Sequence, residues 1–186
     1  MKIFVKLVFV LALLSPAFAE APGSPHPEYA RKLDLFFGTL QRTKDPNEAQ
    51  QAETEIRMIW ASNSTDDAVH ELTIATLAMQ MKNFKSAETI LDHLIQQHPE
   101  FSEAWNRRAT LYFVVGRFSE SLSDIEKVLE LEPRHFGALS GKGACLRALG
   151  RDADALEAMK EAIAIDPFIG GLSDAIKEMK KSQQEL

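Results

Sequence analysis

A single cysteine, Cys145, stands in 186 residues and leaves no partner for a disulfide within the chain. Basic charge is also scarce. Lys and Arg number 21 against 27 Asp and Glu, a net charge of −6, and no segment gathers the basic residues into a stripe. That balance argues against nucleic acid as a partner. Metal-ligand spacing is missing. The five histidines are His26, His70, His93, His98 and His135; His93 and His98 are five apart, whereas a zinc helix pairs them at four. The segment GALSGKG, Gly137 to Gly143, is one residue short of a phosphate loop, puts Gly143 where Ser or Thr should bind magnesium, and follows no strand. There is no G-x-S-x-G elbow and no Cys/His arrangement for nucleophilic catalysis. These absences point away from an enzyme and from any cofactor.

After its first residues the chain has no apolar run as long as a bilayer span. Residues 1–19, MKIFVKLVFVLALLSPAFA, have the form of a secretory signal peptide. Lys2 and Lys6 give the positive start, Val5 to Leu14 the apolar core, and Ala17-Phe18-Ala19 a small-residue cleavage site. The run after Lys6 is too short for a comfortable anchor, so no stable membrane anchor is expected after cleavage. The cleaved chain would carry 19 basic and 27 acidic residues, a net −8. The cleaved chain is expected in an exported compartment; if that is a eukaryotic secretory lumen, Asn63-Ser64-Thr65 is a formal glycosylation site.

Residues 20–27 contain three prolines and read as a linker. Residues 28–65 should hold a helix pair. Leu33, Phe36, Phe37 and Leu40 fall at i, i+3, i+4 and i+7, and Ala49, Ala52, Ile56, Ile59 and Trp60 come after an Asp45-Pro46 start. The pair is expected to cover the open N-terminal side of the helices beyond residue 65.

From residue 66 the chain repeats itself every 34 residues, in units 66–99, 100–133 and 134–167. Ala75, Ala109 and Gly143 form a small column; Trp105 and Leu139 stand four before it, Tyr112 and Leu146 three after. Those spacings share one helix face. Second helices repeat Phe84, Ala87, Leu91 and Leu94 as Phe118, Ser121, Ile125 and Val128, then as Asp152, Ala155, Met159 and Ala162. Pro99, Pro133 and Pro167 close the units. Gly116 and Gly150 permit the turn inside each helix pair. Cys145 shares its column with Leu77 and Leu111 and should be a small buried core residue. Glu120, Asp124, Glu126 and Glu130 are expected on a solvated outer face. Gly170-Gly171 ends the array, and within 168–186 Leu172, Ile176 and Met179 should be the inward stripe of a capping helix.

Through Trp105, Ala109, Tyr112, Gly116, Phe118 and Pro133 the chain resembles the tetratricopeptide repeat (TPR) family, over about 66–167, and among its members the small exported TPR proteins of proteobacteria. The resemblance implies an all-α, right-handed TPR solenoid of about three helix hairpins, with the N-terminal pair and a C-terminal capping helix. Together with the leader it implies the periplasm as the location, with a secreted or secretory-lumen protein as the alternative. It departs from the family at Glu71, Lys82, Asp152, Arg108 and Lys142. It also implies a concave surface built by the first helices. Carried onto this register, the peptide-binding residues are Leu72, Thr76 and Met79; Asn106, Thr110 and Phe113; Ser140, Ala144 and Arg147. The stripe is mostly apolar or small, so the expected partner is an apolar helical or extended peptide segment of another protein, of unknown identity, in a protein-interaction module. The carboxylate clamp of chaperone adaptors is not expected, because its columns hold Leu72, Thr76, Gly137 and Gly141. Three alternatives remain. Phe36 and Phe37 could fill the groove, the array could be a structural or self-associating protein, or the chain could be an enzyme whose site the motifs do not reveal.

Overall fold

A computed structural model of the protein describes residues 27–184. The signal peptide and nearly all of the linker lie outside the described residues. The described chain holds nine helices and no strand. They are α1 (Pro27–Arg42), α2 (Pro46–Ala61), α3 (Asp66–Gln80), α4 (Phe84–Gln97), α5 (Ser102–Val114), α6 (Phe118–Leu131), α7 (Phe136–Ala148), α8 (Asp152–Ile165) and α9 (Leu172–Gln184). None of them is long and apolar enough to cross a membrane.

The 34-residue period is visible in backbone geometry. Helices α3, α5 and α7 end in one and the same way. Asn83 N–H donates to the Ala78 carbonyl, Arg117 N–H to Tyr112 and Arg151 N–H to Leu146, each at 2.8 Å. The residue before each donor is left-handed: Lys82 (φ 58°), Gly116 (φ 80°) and Gly150 (φ 75°). This is the Schellman ending, and it shows why Lys82 is a departure with a cost: glycine takes that conformation freely and lysine does not. The second helices stop in register too, with His98, Glu132 and Asp166 N–H groups on Leu94, Val128 and Ala162, just before the three prolines.

Paired helices meet through the small column. Ala75 and Ala109 are buried, and a methyl group on Gly143 would come within 2.6 Å of Met159 Cγ and 3.2 Å of the Ala155 carbonyl. α7 and α8 are in contact because Gly143 has no side chain. Leu172, Ile176 and Met179 of α9 are buried against Leu146, Ala158 and Met159, closing the C-terminal end.

The N-terminal hairpin is not where its sequence suggested. Its buried face, Leu33, Phe37, Leu40, Ile56 and Trp60, shares a core with Phe136, Ile165, Phe168 and Ile169, and takes no member from α3 or α4. It therefore lies across the array onto the third hairpin pair instead of covering the first. The aromatic chemistry explains this. Trp60 stacks on His135 at 4.1 Å between centroids, and Phe37 meets Phe136 edge-on at 6.5 Å. Each buried ring removes roughly 150–250 Å² from water. Polar contacts fix the orientation: Arg134 with Asp34 at 2.7 Å, Trp60 Nε1–H on Glu132, and the Gln41 amide on the Ala164 and Ile165 carbonyls.

One further expectation changes. Asp124, expected outside, is buried, and its carboxylate receives two hydrogen bonds of 2.8 Å from Arg108, which also reaches Asp92 at 2.7 Å. An arginine in an apolar column is accommodated because two aspartates neutralise it. Their hydrogen bonds, opposed by its burial, hold the guanidinium proton more tightly than usual. Trp105 is only half-buried and donates its indole N–H to the Pro99 carbonyl at 2.9 Å. The fully buried indole is that of Trp60.

Candidate functional site

Helices α5 and α7 run side by side with α6 behind them, and the space between them is a cavity of about 270 Å³. Its walls are Asn106, Thr110 and Phe113 from α5 and Gly137, Ser140, Gly141 and Ala144 from α7; Ser121 and Ile125 of α6 form the floor. The cavity exists because the residues projecting into it are short. Phe113 is the one large ring at its edge, 37% exposed and tilted against Phe118.

The floor is polar but satisfied. Cys145 Sγ–H donates to Ser121 Oγ at 3.2 Å, and Ser121 Oγ–H donates to the Ala109 carbonyl at 2.8 Å. Burial pushes the Cys145 thiol above its ordinary pKa, and the Ser121 contact only partly offsets it. A thiol held protonated is a poor nucleophile and metal ligand. Cys145 is thus the small buried residue its register column suggested.

A second cavity of about 470 Å³ opens beside the first. On one side are Thr54, Arg57, Met58 and Ala61 of α2; on the other, Glu103, Asn106, Arg107 and Thr110 of α5. The two cavities share Asn106, Thr110 and Gly137, so they form one groove. The crossing of the N-terminal hairpin makes α2 a wall of that groove. Glu103 is buried; one oxygen lies 3.1 Å from His135 Nε2 and the other accepts from Asn106 at 3.0 Å. Burial alone would raise this carboxyl, but His135 and Asn106 outweigh it and hold its pKa below the ordinary value. His135 uses its other nitrogen, Nδ1, to accept from Ala138 N–H at 3.0 Å and so caps α7. His135 therefore ties the groove floor to the Trp60 stack.

Of the nine residues chosen from sequence, Asn106, Thr110, Phe113, Ser140 and Ala144 come together around the first cavity. The other four do not join them. Leu72 is 5% exposed and packs with Ala68, Ala75, Leu91 and Phe101. Met79 is half-buried against the core, Thr76 turns its hydroxyl onto the Leu72 carbonyl, and Arg147 is exposed outside both cavities. Neither Phe36 nor Phe37 lines either cavity; Phe37 packs instead on Trp60 and Phe136. The sequence reading set Phe36 and Phe37 of the N-terminal pair against the groove, but not the α2 residues that wall it. It also passed over Ser121, whose hydroxyl in an otherwise apolar stripe was a signal. Among the described residues no three His, Cys, Asp or Glu side chains group as a metal site.

Comparison with known proteins places this geometry. The tetratricopeptide repeat model TPR_16 matches residues 106–168, the helices that frame the first cavity. A TPR repeat-containing protein of Rhizobium etli is 42% identical over 139 residues, 74% of this chain and 67% of that relative. The chain belongs to the tetratricopeptide repeat family. Hsp70-Hsp90 organizing protein 1 of Glycine max is similar at 22% identity over 84% of this chain, which spans only 29% of that relative's length. Among solved structures, the first TPR of Spaghetti (RPAP3) bound to the HSP90 peptide SRMEEVD superposes with a TM-score of 0.62 at 16% identity, over 65% of this chain and 96% of that one. MamA from Desulfovibrio magneticus gives 0.58 at 18%, over 82% and 86%. These two likenesses speak for the TPR fold.

Proposed function

We propose that this TPR protein is a periplasmic interaction module that holds an apolar helical or extended segment of a partner protein in the groove between α5 and α7. The cavity of about 270 Å³ carries the reading, because a space of that size lined by small residues accepts one bulky apolar side chain without rearrangement. Asn106 offers its remaining amide capacity to the bound backbone. A TPR structure of similar fold holding an HSP90 peptide supports peptide binding as the use of such a surface. The recognition differs here, since the clamp columns hold Leu72, Thr76, Gly137 and Gly141 and supply no cation. Export rests on the signal-peptide form of residues 1–19.

The test is a pull-down from periplasmic extract with wild type and with Phe113→Glu/Asn106→Ala. A partner recovered with wild type and lost with the variant supports the groove; equal recovery contradicts it. One observation favours a second reading, self-association. Met81, Val115 and Leu149, spaced 34 apart, are 82%, 39% and 42% exposed along the edge where the hairpins turn. Light scattering at two protein concentrations separates the readings, because a mass rising with concentration belongs to self-association.

A further inference from the structure

The groove has two chemically different ends, and the difference says what kind of segment it takes. Between α5 and α7 it is small and apolar. At the α2 side it carries two guanidinium groups in a protein whose net charge is −6. Arg57 lies 4.8 Å above the Phe136 ring, with one terminal nitrogen 3.8 Å from where a side chain on Gly137 would begin. Arg107 stands across from it on α5. Its Nε–H is buried and has no acceptor among the described residues. The one carboxylate lining this end is Glu103, which His135 and Asn106 already engage, and its nearest approach to Arg107 is 3.9 Å. Arg57 is similarly loose, 3.5 Å from Glu53. The charge of Asp166 also reaches Arg57. Both arginines are thus only loosely paired, at 3.5 and 3.9 Å, and one has a buried unmet donor; such groups are complementary to a carboxylate that arrives from outside. Gly137 keeps the passage between the two ends clear.

We infer that the groove takes a partner segment in which a bulky apolar side chain is accompanied by an acidic one. The apolar side chain sits between α5 and α7, and the carboxylate is held by Arg57 and Arg107. This rests on the groove reading above and adds the partner's chemistry to it. It also assigns the N-terminal hairpin a role, because α2 supplies half of the basic subsite.

A phage-displayed library of random nonapeptides, selected on the full mature protein, tests both levels. The selected pool should hold a large apolar residue at a fixed spacing from Asp or Glu. Replacing that acid by its amide in a synthesised peptide should weaken binding roughly tenfold or more. On Arg57→Gln/Arg107→Gln the acid and amide peptides should bind alike, and on Arg57→Glu/Arg107→Glu selection should turn toward Lys or Arg. Arg57→Gln alone, at a half-exposed position, gives the same direction with least risk to folding. A pool with a fixed apolar residue and no acidic preference, or an acidic preference that survives both arginine changes, overturns the inference and leaves the groove standing. A pool that binds Phe113→Glu as well as wild type, or no enrichment at all, removes the groove itself.

Discussion

Where α7 meets α8, contact is made through a position kept small every 34 residues, Ala75, Ala109 and Gly143. Where the N-terminal hairpin meets the third repeat, contact is made through Phe37 and Trp60, whose counterparts 34 residues on are Glu71 and Leu94. The first kind of interface is set by backbone approach and tolerates many side chains around it. The second depends on a few large rings with one arrangement. A repeat array can thus be extended or shortened by period, whereas its orientation to a non-repeating hairpin rests on individual side chains.

The sharpest way to break this comparison is to remove one anchor of each kind. Trp60→Ala should cost about 3–5 kcal/mol in urea unfolding, because the indole is fully buried. Trp105→Ala, at a half-buried ring with one indole hydrogen bond, should cost only about 1–2 kcal/mol. Equal losses would erase the distinction. Next in size is Gly143→Ala, which forces α7 from α8 and should cost about 1–3 kcal/mol. Gly141→Ala two residues away is the control. A methyl there meets Ile125 at an ordinary 3.5 Å, so helix propensity should make the variant up to about 1 kcal/mol more stable.

The hairpin interface should also respond to pH. Asp166 is buried with one carboxylate oxygen unpartnered. Burial and the nearby Glu53 charge push its pKa from 3.8 up to about 6, against the Phe168 N–H bond and Arg57. An acid that binds its proton more tightly when folded stabilises the fold below its ordinary pKa and loses that contribution as pH rises through about 6. Asp166→Asn should therefore flatten stability across that window and gain about 1–2 kcal/mol at neutral pH. Glu103 acts with the opposite sign, since its contribution is present above its ordinary value and lost as pH falls. An unchanged pH profile in Asp166→Asn would contradict the assignment. The smallest effect belongs to Lys82→Gly, which should stabilise by up to about 1 kcal/mol through relief of the left-handed backbone. No gain would mean that the lysine bears little strain there.

These particulars also explain what the sequence could disclose. The three hairpins, their turns at 82, 116 and 150 and the α9 stripe arise from local periodicity, and they stand where the period put them. The hairpin's docking was hidden because Phe37 and Trp60 meet Phe136 about 75–100 residues later, a pairing that no helical spacing encodes. One hint was present: Phe136 occupies the column of Ser102, a place with no reason for a large ring unless something covers it. Arg108 in an apolar column was likewise a sign that an acidic partner, Asp124, is inside with it. In the groove, register found Asn106, Thr110, Phe113, Ser140 and Ala144 because α5 and α7 flank the cavity, while Arg147, at the far end of α7, stays outside it. It misplaced Leu72 and Met79, since α3 turns the same columns into its own core.

The most direct measurement is photo-crosslinking in living cells, with p-benzoylphenylalanine placed singly at the positions of Phe113 and Ala144 in the groove and of Glu126 and Lys160 on the outer face. The account requires adducts with another protein from the first two positions and none from the second two. Adducts from the outer positions with silence at Phe113 and Ala144 would contradict it.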